Sequence, residues 1–414
     1  MKNKLYNWIW RWHFIGGIIS LPIVILLSAT GIIYLFKDDY EKSHLERLTN
    51  VEAGAERLTY QHQWEQAELG WGKKADALIL PSGENKATQF VSGRFSHKTS
   101  FLIDPFTGKE KGRIIPKKTD MHKVRKLHGE LLLGSYGTKI VELVASWMVV
   151  LIITGIYLFW PKGRGLKSLV TIRTKQSKRV FYRDLHAVTG FWCSILLLLI
   201  LAGGLPWTDV FGSGYKWVQK STKSGFPKSW QGRNYQSTVK GETLPVDHFV
   251  KTARQLNLPG EVSIHLPEYP NSVYSISNTT SKLSSMKMLH FDRYSGDLIK
   301  SNDWSDIGLM MRTRLWVMAF HQGQFGTWNF ILVMGTAIGL LIMSLAALFS
   351  YLKRKTKGNW AIPKSPIQLT LGYGLLTIVC LMGVLLPLFG LSVLIIVLAG
   401  LLKKKKAFEQ TTTE

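Results

Sequence analysis

Four short stretches each set a histidine at the edge of an apolar run. They are "WHFIGG" with His13, "LHGELLLG" with His128, "LHAVTGFW" with His186 and "FHQGQFG" with His321. A membrane is a costly solvent for an imidazole, and a neutral ring nitrogen is a metal ligand. A single interfacial histidine usually does no more than cap a membrane helix. Four in duplicated settings suggest more, because His13 is the equivalent of His186, and His128 of His321. If the halves pack about a pseudo-two-fold axis, each equivalent pair faces across it and can give one iron two axial nitrogens. Two such pairs would hold two b-type haems. Each histidine has basic neighbours suited to carboxylate side groups: Arg11, Arg125 with Lys126, Arg183 and Arg314. Gly17 and Gly190 lie four residues beyond His13 and His186, where a missing side chain would let a flat macrocycle approach the helix. The chain has no CxxCH, which excludes covalent c-type haem.

The elements that must position these histidines are apolar runs of about 20 residues, the length of a membrane-spanning helix. Residues 15–36, 140–160, 188–207 and 328–352 qualify; 367–402 is apolar but interrupted by Pro387 and Gly390. The 414 residues carry a net charge of +25, and its placement matters more than its size. The N-terminus, the segment between spans two and three, the segment after span four and the C-terminus together hold 20 basic residues, against Asp184, Glu409 and Glu414. This positive-inside pattern puts both termini in the cytoplasm and argues against nucleic acid as the partner. Both ends of 367–402 are basic, which favours a hairpin turning at "LPLFG". The first run is too long for a cleaved signal peptide and lacks a small-x-small site, so it reads as an anchor. Cys193 and Cys380 both lie in apolar segments, leaving no disulfide framework.

One length is awkward. From His128 to Lys162 is 34 residues and from His321 to Lys353 is 32, roughly 50 Å of helix against a core of roughly 30 Å. Either the helices project from the bilayer, or they break at Gly134/Gly137 and Gly326.

The spans with their leading motifs occupy 1–36, 127–160, 188–207 and 314–352. Basic loops fill 161–187 and 353–366, the hairpin 367–402 and the tail 403–414. Two outward-facing segments remain, 37–126 and 208–313. Each reads as a small α+β domain, helix first ("QHQWEQAEL", "VDHFVKTARQLNL") and strands after ("ADALILP", "ATQFVSG", "TSFLIDP"; "EVSIHLP", "SVYSIS", "KMLHFDR"). Both close on Asp-x-aromatic-Ser/Thr-Gly, Asp104 to Gly108 and Asp292 to Gly296, a pattern suited to a tight hairpin. The architecture is span, domain, span, repeated twice. His44, His62, His97, His248, His265 and His290 lack the motif and read as ordinary surface or strand residues.

The motifs "RWHFIGGIISLP", "DPFTG", "LHGELLLGSYGTKIVELVASWMVVLIITGIYLFWP", "RDLHAVTGFW" and "FHQGQFG" resemble the PepSY-associated transmembrane family of bacterial inner-membrane proteins. They cover roughly residues 11–353. The resemblance implies PepSY folds for the two outer domains, and iron-regulated, haem-containing membrane reductases, including reducers of ferric siderophores. The expected fold is a helical membrane bundle of about six spans, internally duplicated, with two small α+β PepSY-like periplasmic domains. The expected function is di-haem electron transfer from a cytoplasmic donor, such as a flavoprotein, to a periplasmic ferric chelate. The inner haem would sit on His13 and His186, the outer on His128 and His321. No GxGxxG with a ribose-binding acid and no flavin domain occurs, so the donor is a separate protein. Two other classes stand beside this one. A permease would need intramembrane charge, and Glu142 is nearly alone in the spans. A regulatory scaffold would use the PepSY domains to bind a partner with no cofactor.

Overall fold

The computed structural model describes residues 2–93, 98–161, 165–356, 359–364 and 372–411. His97 lies outside them. In chain order the helices are α1 (Lys2–Leu35), α2 (Lys37–Thr49), α3 (Tyr60–Trp71), α4 (Asp120–Glu130), α5 (Ser135–Phe159), α6 (Lys178–Gly204), α7 (Val210–Ser221), α8 (Val246–Gln255), α9 (Leu309–His321), α10 (Thr327–Leu352), α11 (Tyr373–Leu385) and α12 (Pro387–Thr411). The chain divides into two compact units. One comprises Met1–Leu35, Val124–Trp217 and Phe320–Glu414, the other Phe36–Lys123 and Val218–Ala319.

The first unit is helical. Among the described residues, four of its helices are long and apolar enough to cross a membrane: Lys4–Leu35, Ser135–Phe159, Lys178–Trp207 and Thr327–Leu352. The excess length noted in the sequence is resolved by breaks. Helix α4 stops at Glu130, Leu131 and Leu132 take left-handed backbone (φ 48° and 59°), and Gly134 (φ 59°) precedes α5. In the second half α9 stops at His321, and Gly323 and Gly326 (φ 70° and 94°) lead into α10. His128 and His321 therefore end short helices ahead of their spans, whereas His13 and His186 lie inside α1 and α6.

An aliphatic cluster of Val24, Val144, Met148, Leu151, Ile152, Leu197 and Met343 packs the bundle. The duplication is visible in how the helices approach one another. A side chain on Gly16 of α1 would stand 2.8 Å from the Trp147 ring of α5. In the other half the sizes are exchanged: Thr189 on α6 occupies the position of Gly16, and Gly339 on α10 that of Trp147. A Cβ on Gly339 would lie 2.7 Å from Cys193 Sγ and 3.6 Å from the Thr189 methyl.

Glu142 is fully buried in α5, and its carboxylate accepts the N–H groups of Val210 and Phe211, both at 2.8 Å. It caps the otherwise orphaned N-terminus of α7. Residues 208–217, assigned from sequence to an outer domain, therefore belong to the helical unit.

The C-terminal stretch folds as two helices, with Leu386 between α11 and α12. Leu386 and Phe389 are buried with Leu205 beside Trp147 and Leu201, and Trp147 Nε1 donates to Ser392 Oγ at 3.1 Å. The apolar arms Tyr373–Leu385 and Pro387–Leu402 are shorter than the other four helices. At 1.5 Å per residue they reach about 20 and 24 Å, short of a roughly 30 Å core. The expectation of about six spans thus meets, among the described residues, four helices of full spanning length and two shorter apolar ones on either side of Leu386.

The second unit is α+β. The sequence suggested two separate small domains; they share one antiparallel sheet of order β4-β3-β2-β1-β5-β6-β7-β8. The first four strands are β1 (Ala77–Ile79), β2 (Thr88–Ser92), β3 (Thr99–Ile103) and β4 (Glu110–Ile114). The last four are β5 (Glu261–His265), β6 (Tyr274–Thr279), β7 (Lys287–Phe291) and β8 (Leu298–Asp303). The seam is β1 against β5, with Leu78 opposite Ile264. Helices α3 and α8 pack on it through Tyr60, Ala67, Val246, Phe249 and Val250, over Leu78, Phe90, Phe101, Ile264 and Ile276. They also cap each other. Asp247 accepts the Tyr60 and Gln61 N–H groups at 2.8 and 3.0 Å, and Gln61 Oε1 accepts the Val246 N–H at 3.4 Å. Both Asp-Gly turns form as expected. Asp104 Oδ1 accepts from Phe106 and Thr107, Asp292 Oδ1 from Tyr294 and Ser295, and Gly108 and Gly296 take φ of 72° and 78°.

Candidate functional site

The four motif histidines lie within the helical unit and meet in the expected pairs. His13 on α1 faces His186 on α6, with ring centres 6.4 Å apart and planes inclined 72°. His128 on α4 faces His321 on α9 at 6.2 Å and 69°. An imidazole centre lies about 1.1 Å from its own nitrogen and an imidazole–metal bond is about 2.0–2.1 Å, so two rings on opposite sides of one metal ion stand about 6.2–6.4 Å apart. Both pairs have this spacing. The pairs are separated along the bundle: His128 meets Thr30, 17 residues beyond His13 on α1, which is about 25 Å of helix.

Hydrogen bonds fix which nitrogen is free. His186 Nδ1 lies 2.9 Å from the Met343 carbonyl and His321 Nδ1 2.8 Å from the Ile200 carbonyl. A carbonyl only accepts, so both rings carry their proton on Nδ1. His13 Nδ1 lies 2.9 Å from Thr154 Oγ1, and His128 Nδ1 3.1 Å from Thr30 Oγ1. Those hydroxyls donate to the Val150 and Leu26 carbonyls at 2.8 and 2.7 Å, leaving lone pairs that accept from Nδ1–H. All four rings thus have Nε2 as the unprotonated nitrogen, the arrangement of histidines that bind metal through Nε2 and are oriented through Nδ1. Among the described residues no three His, Cys, Asp or Glu side chains converge to hold a bare ion. A pair of axial nitrogens suits an iron whose remaining ligands come from a macrocycle, so the donor set and spacing fit a b-type haem at each level.

The family model described as the PepSY-associated TM region matches residues 10–354. The chain belongs to that family. A search of curated proteins found no match to this chain. All four paired histidines lie within the PepSY-associated region, whereas α11 and α12 lie beyond it.

Space beside the rings comes partly from glycines that the sequence did not single out. A Cβ on Gly155 would lie 3.2 Å from His13 Cε1, on Gly31 3.4 Å from His128 Cε1, and on Gly204 3.7 Å from His321 Cε1. Gly31 and Gly204 hold the same place in the two repeats of the PepSY-associated region. Gly17 has nothing within 4 Å of its missing side chain, so that side of α1 is open. Gly190 does not behave the same way: its Cβ would meet Met343 Sδ at 3.3 Å, so it makes room for α10.

The basic residues are more committed than expected. Arg11 donates to the Pro363 carbonyl, Arg183 bonds Asp184 at 2.9 Å, and Lys126 pairs with Glu130 at 2.5 Å. Arg125 is exposed. Arg314 is buried on α9 and falls in the sheet unit. Arg354, which the sequence did not flag, lies over the rings of Trp10 and Phe14 at 4.7 and 5.3 Å, beside His13 in the chain. The signal that could have revealed Thr30 and Thr154 is their place inside apolar helices, facing the neighbouring span.

Proposed function

We propose that the protein is a di-haem b-type reductase of the bacterial inner membrane. It would pass electrons from a cytoplasmic donor, a flavoprotein or similar protein, to a periplasmic acceptor such as a ferric siderophore or another Fe(III) chelate. The observation that carries this is the pairing of His13 with His186 and His128 with His321 at metal-sharing distance, with Nδ1 of every ring engaged. Each haem, when bound, would supply a one-electron Fe(III)/Fe(II) couple. The chain's own residues hold the ligands apart at the right spacing and fix their tautomer. They also line the interval between the two levels with Val24, Val144, Met148 and Leu197, which exclude water.

The placement of basic residues supports cytoplasmic termini, with the sheet unit on the periplasmic side and the bilayer around the bundle. The His13 level is then the donor side and the His128 level the acceptor side. A permease is less well supported: the buried acid of α5, Glu142, is used to cap α7 and does not face a substrate path.

The test is the absorption spectrum and haem content of protein purified from haem-replete cells. Two haems per chain with low-spin bis-histidine bands are expected. His13→Ala or His186→Ala should remove one haem, and His128→Ala or His321→Ala the other. A colourless wild-type protein, or four alanine variants with full haem content, would overturn the proposal.

A further inference from the structure

The two repeats support their histidines differently. Leu27 stands as far beyond His13 as Ile200 stands beyond His186, and Thr30 correspondingly matches Gly203. Counted from Gly134 and Gly326, Leu151 matches Met343 and Thr154 matches Ala346. In the second repeat the ring protons go directly to the Ile200 and Met343 carbonyls. In the first repeat the equivalent carbonyls, Leu27 and Leu151, also accept from the rings of His128 and His13, and the hydroxyls of Thr30 and Thr154, 3.2 Å from those carbonyls, meet the same rings. Each pair therefore joins one imidazole that meets a hydroxyl as well as a main-chain carbonyl to one that meets a carbonyl without a hydroxyl beside it.

We propose that Thr30 and Thr154 are positioning residues that adjust the donor strength and ring orientation of His128 and His13, so that each iron has one ligand whose backbone contact is supplemented by a side-chain hydroxyl and one oriented by backbone without it. This rests on the di-haem reading above. The physical reason is that an acceptor on Nδ1–H pushes electron density to Nε2 and strengthens its bond to a metal, favouring Fe(III). A carbonyl in a helix cannot be moved by evolution without moving the helix, whereas a hydroxyl can be added or removed by one substitution. The threonine hydroxyl is also polarised by its own donation to Leu26 or Val150, which makes its oxygen a better acceptor.

The test uses Thr→Val, which keeps the side-chain shape and removes the hydroxyl, and Thr→Ser, which keeps the hydroxyl. Spectroelectrochemical titration and the g values of the low-spin ferric signal are read on the full-length protein. T154V should raise the midpoint potential of one centre only and T30V that of the other. Each should also speed loss of the affected haem by about 10- to 100-fold. T154S and T30S should restore wild-type values. Valine variants with unchanged potentials and g values would overturn the proposal, as would serine variants as altered as the valine ones. Histidine side-chain nitrogen NMR on protein made in haem-deficient cells gives a separate measure. His13 and His128 should be protonated on Nδ1, and an Nε2–H tautomer would overturn the role. A haem-replete wild type without haem bands would sink the di-haem reading, and the tautomer measurement would still decide this one.

Discussion

The Trp147 indole stands against the bare backbone of Gly16, 2.8 Å from where a side chain would begin. The ring cannot retreat, because Phe389 packs edge-on at 5.1 Å on its other side and Ser392 holds its Nε1. Gly16→Ala should therefore push α1 from α5. The expected cost is about 1–3 kcal/mol, an overpacking penalty that outweighs the gain in helix propensity. Thermal unfolding in detergent reads it, with Gly335→Ala as the control, since nothing lies within 4 Å of that position. Equal melting temperatures for the two variants would contradict the packing described.

Glu142 is expected to matter for structure. Glu142→Ala removes the acceptor of two part-buried N–H groups, a capping loss of about 1–2 kcal/mol. Hydrogen exchange at Val210 and Phe211 should accelerate, while Glu142→Gln, with one carbonyl oxygen left, should show a smaller effect. Protection unchanged in Glu142→Ala would show that α7 is held by other contacts.

The sheet unit should weaken in mild acid through His290. Burial lowers its pKa below the ordinary 6.5, partly opposed by the Ser229 carbonyl. The ring accepts from or donates to Ser275 Oγ at Nδ1 (2.7 Å), meets Ser229 O at Nε2 (2.9 Å) and stacks on Tyr235. Because Ser229 O can only accept, Nε2 carries the proton and Nδ1 accepts from the serine. The unfolded chain binds this histidine's second proton more readily than the folded one, so stability present above pH 6.5 is lost as the pH falls below it. Denaturant unfolding followed between pH 7.5 and 5 should show this loss, and His290→Gln should flatten it. A wild-type profile with no slope in that window would refute the assignment.

A fourth expectation concerns the turn closing the second repeat. Gly296 has φ of 78°, and a Cβ there would lie 2.6 Å from His248 Nε2. Gly296→Ala should cost more than Gly108→Ala, whose nearest obstacle is a flexible Leu58 methyl at 3.1 Å. Paired melting curves decide the order.

Much of the site was legible because chemistry-bearing residue types recur. Four histidines ahead of apolar runs, and two Asp-Gly turns, expose a duplication that composition alone would hide. The threonines were not legible, because a threonine in an apolar helix ordinarily bonds the carbonyl four residues back, and Thr30 and Thr154 do so as well as meeting the rings. Strands β4 and β8 were missed because their side chains are mostly exposed and carry no apolar alternation. The β1–β5 seam was invisible for another reason: it joins residues far apart in the chain, and nothing in either strand names its partner. The basic neighbours were only half informative. Their charge was correctly noted, but Arg11 and Arg183 turn to Pro363 and Asp184.

The seam between β1 and β5 has a consequence for each half of the chain. Half of this chain, taken alone, would own one imidazole of each couple and a β1 or β5 strand with its backbone bare on one side. Such a fragment would need a sibling to complete both. A chain holding a single repeat would complete both by pairing with an identical molecule, whereas within this one chain the two copies are free to differ, as Gly16 with Trp147 differs from Thr189 with Gly339.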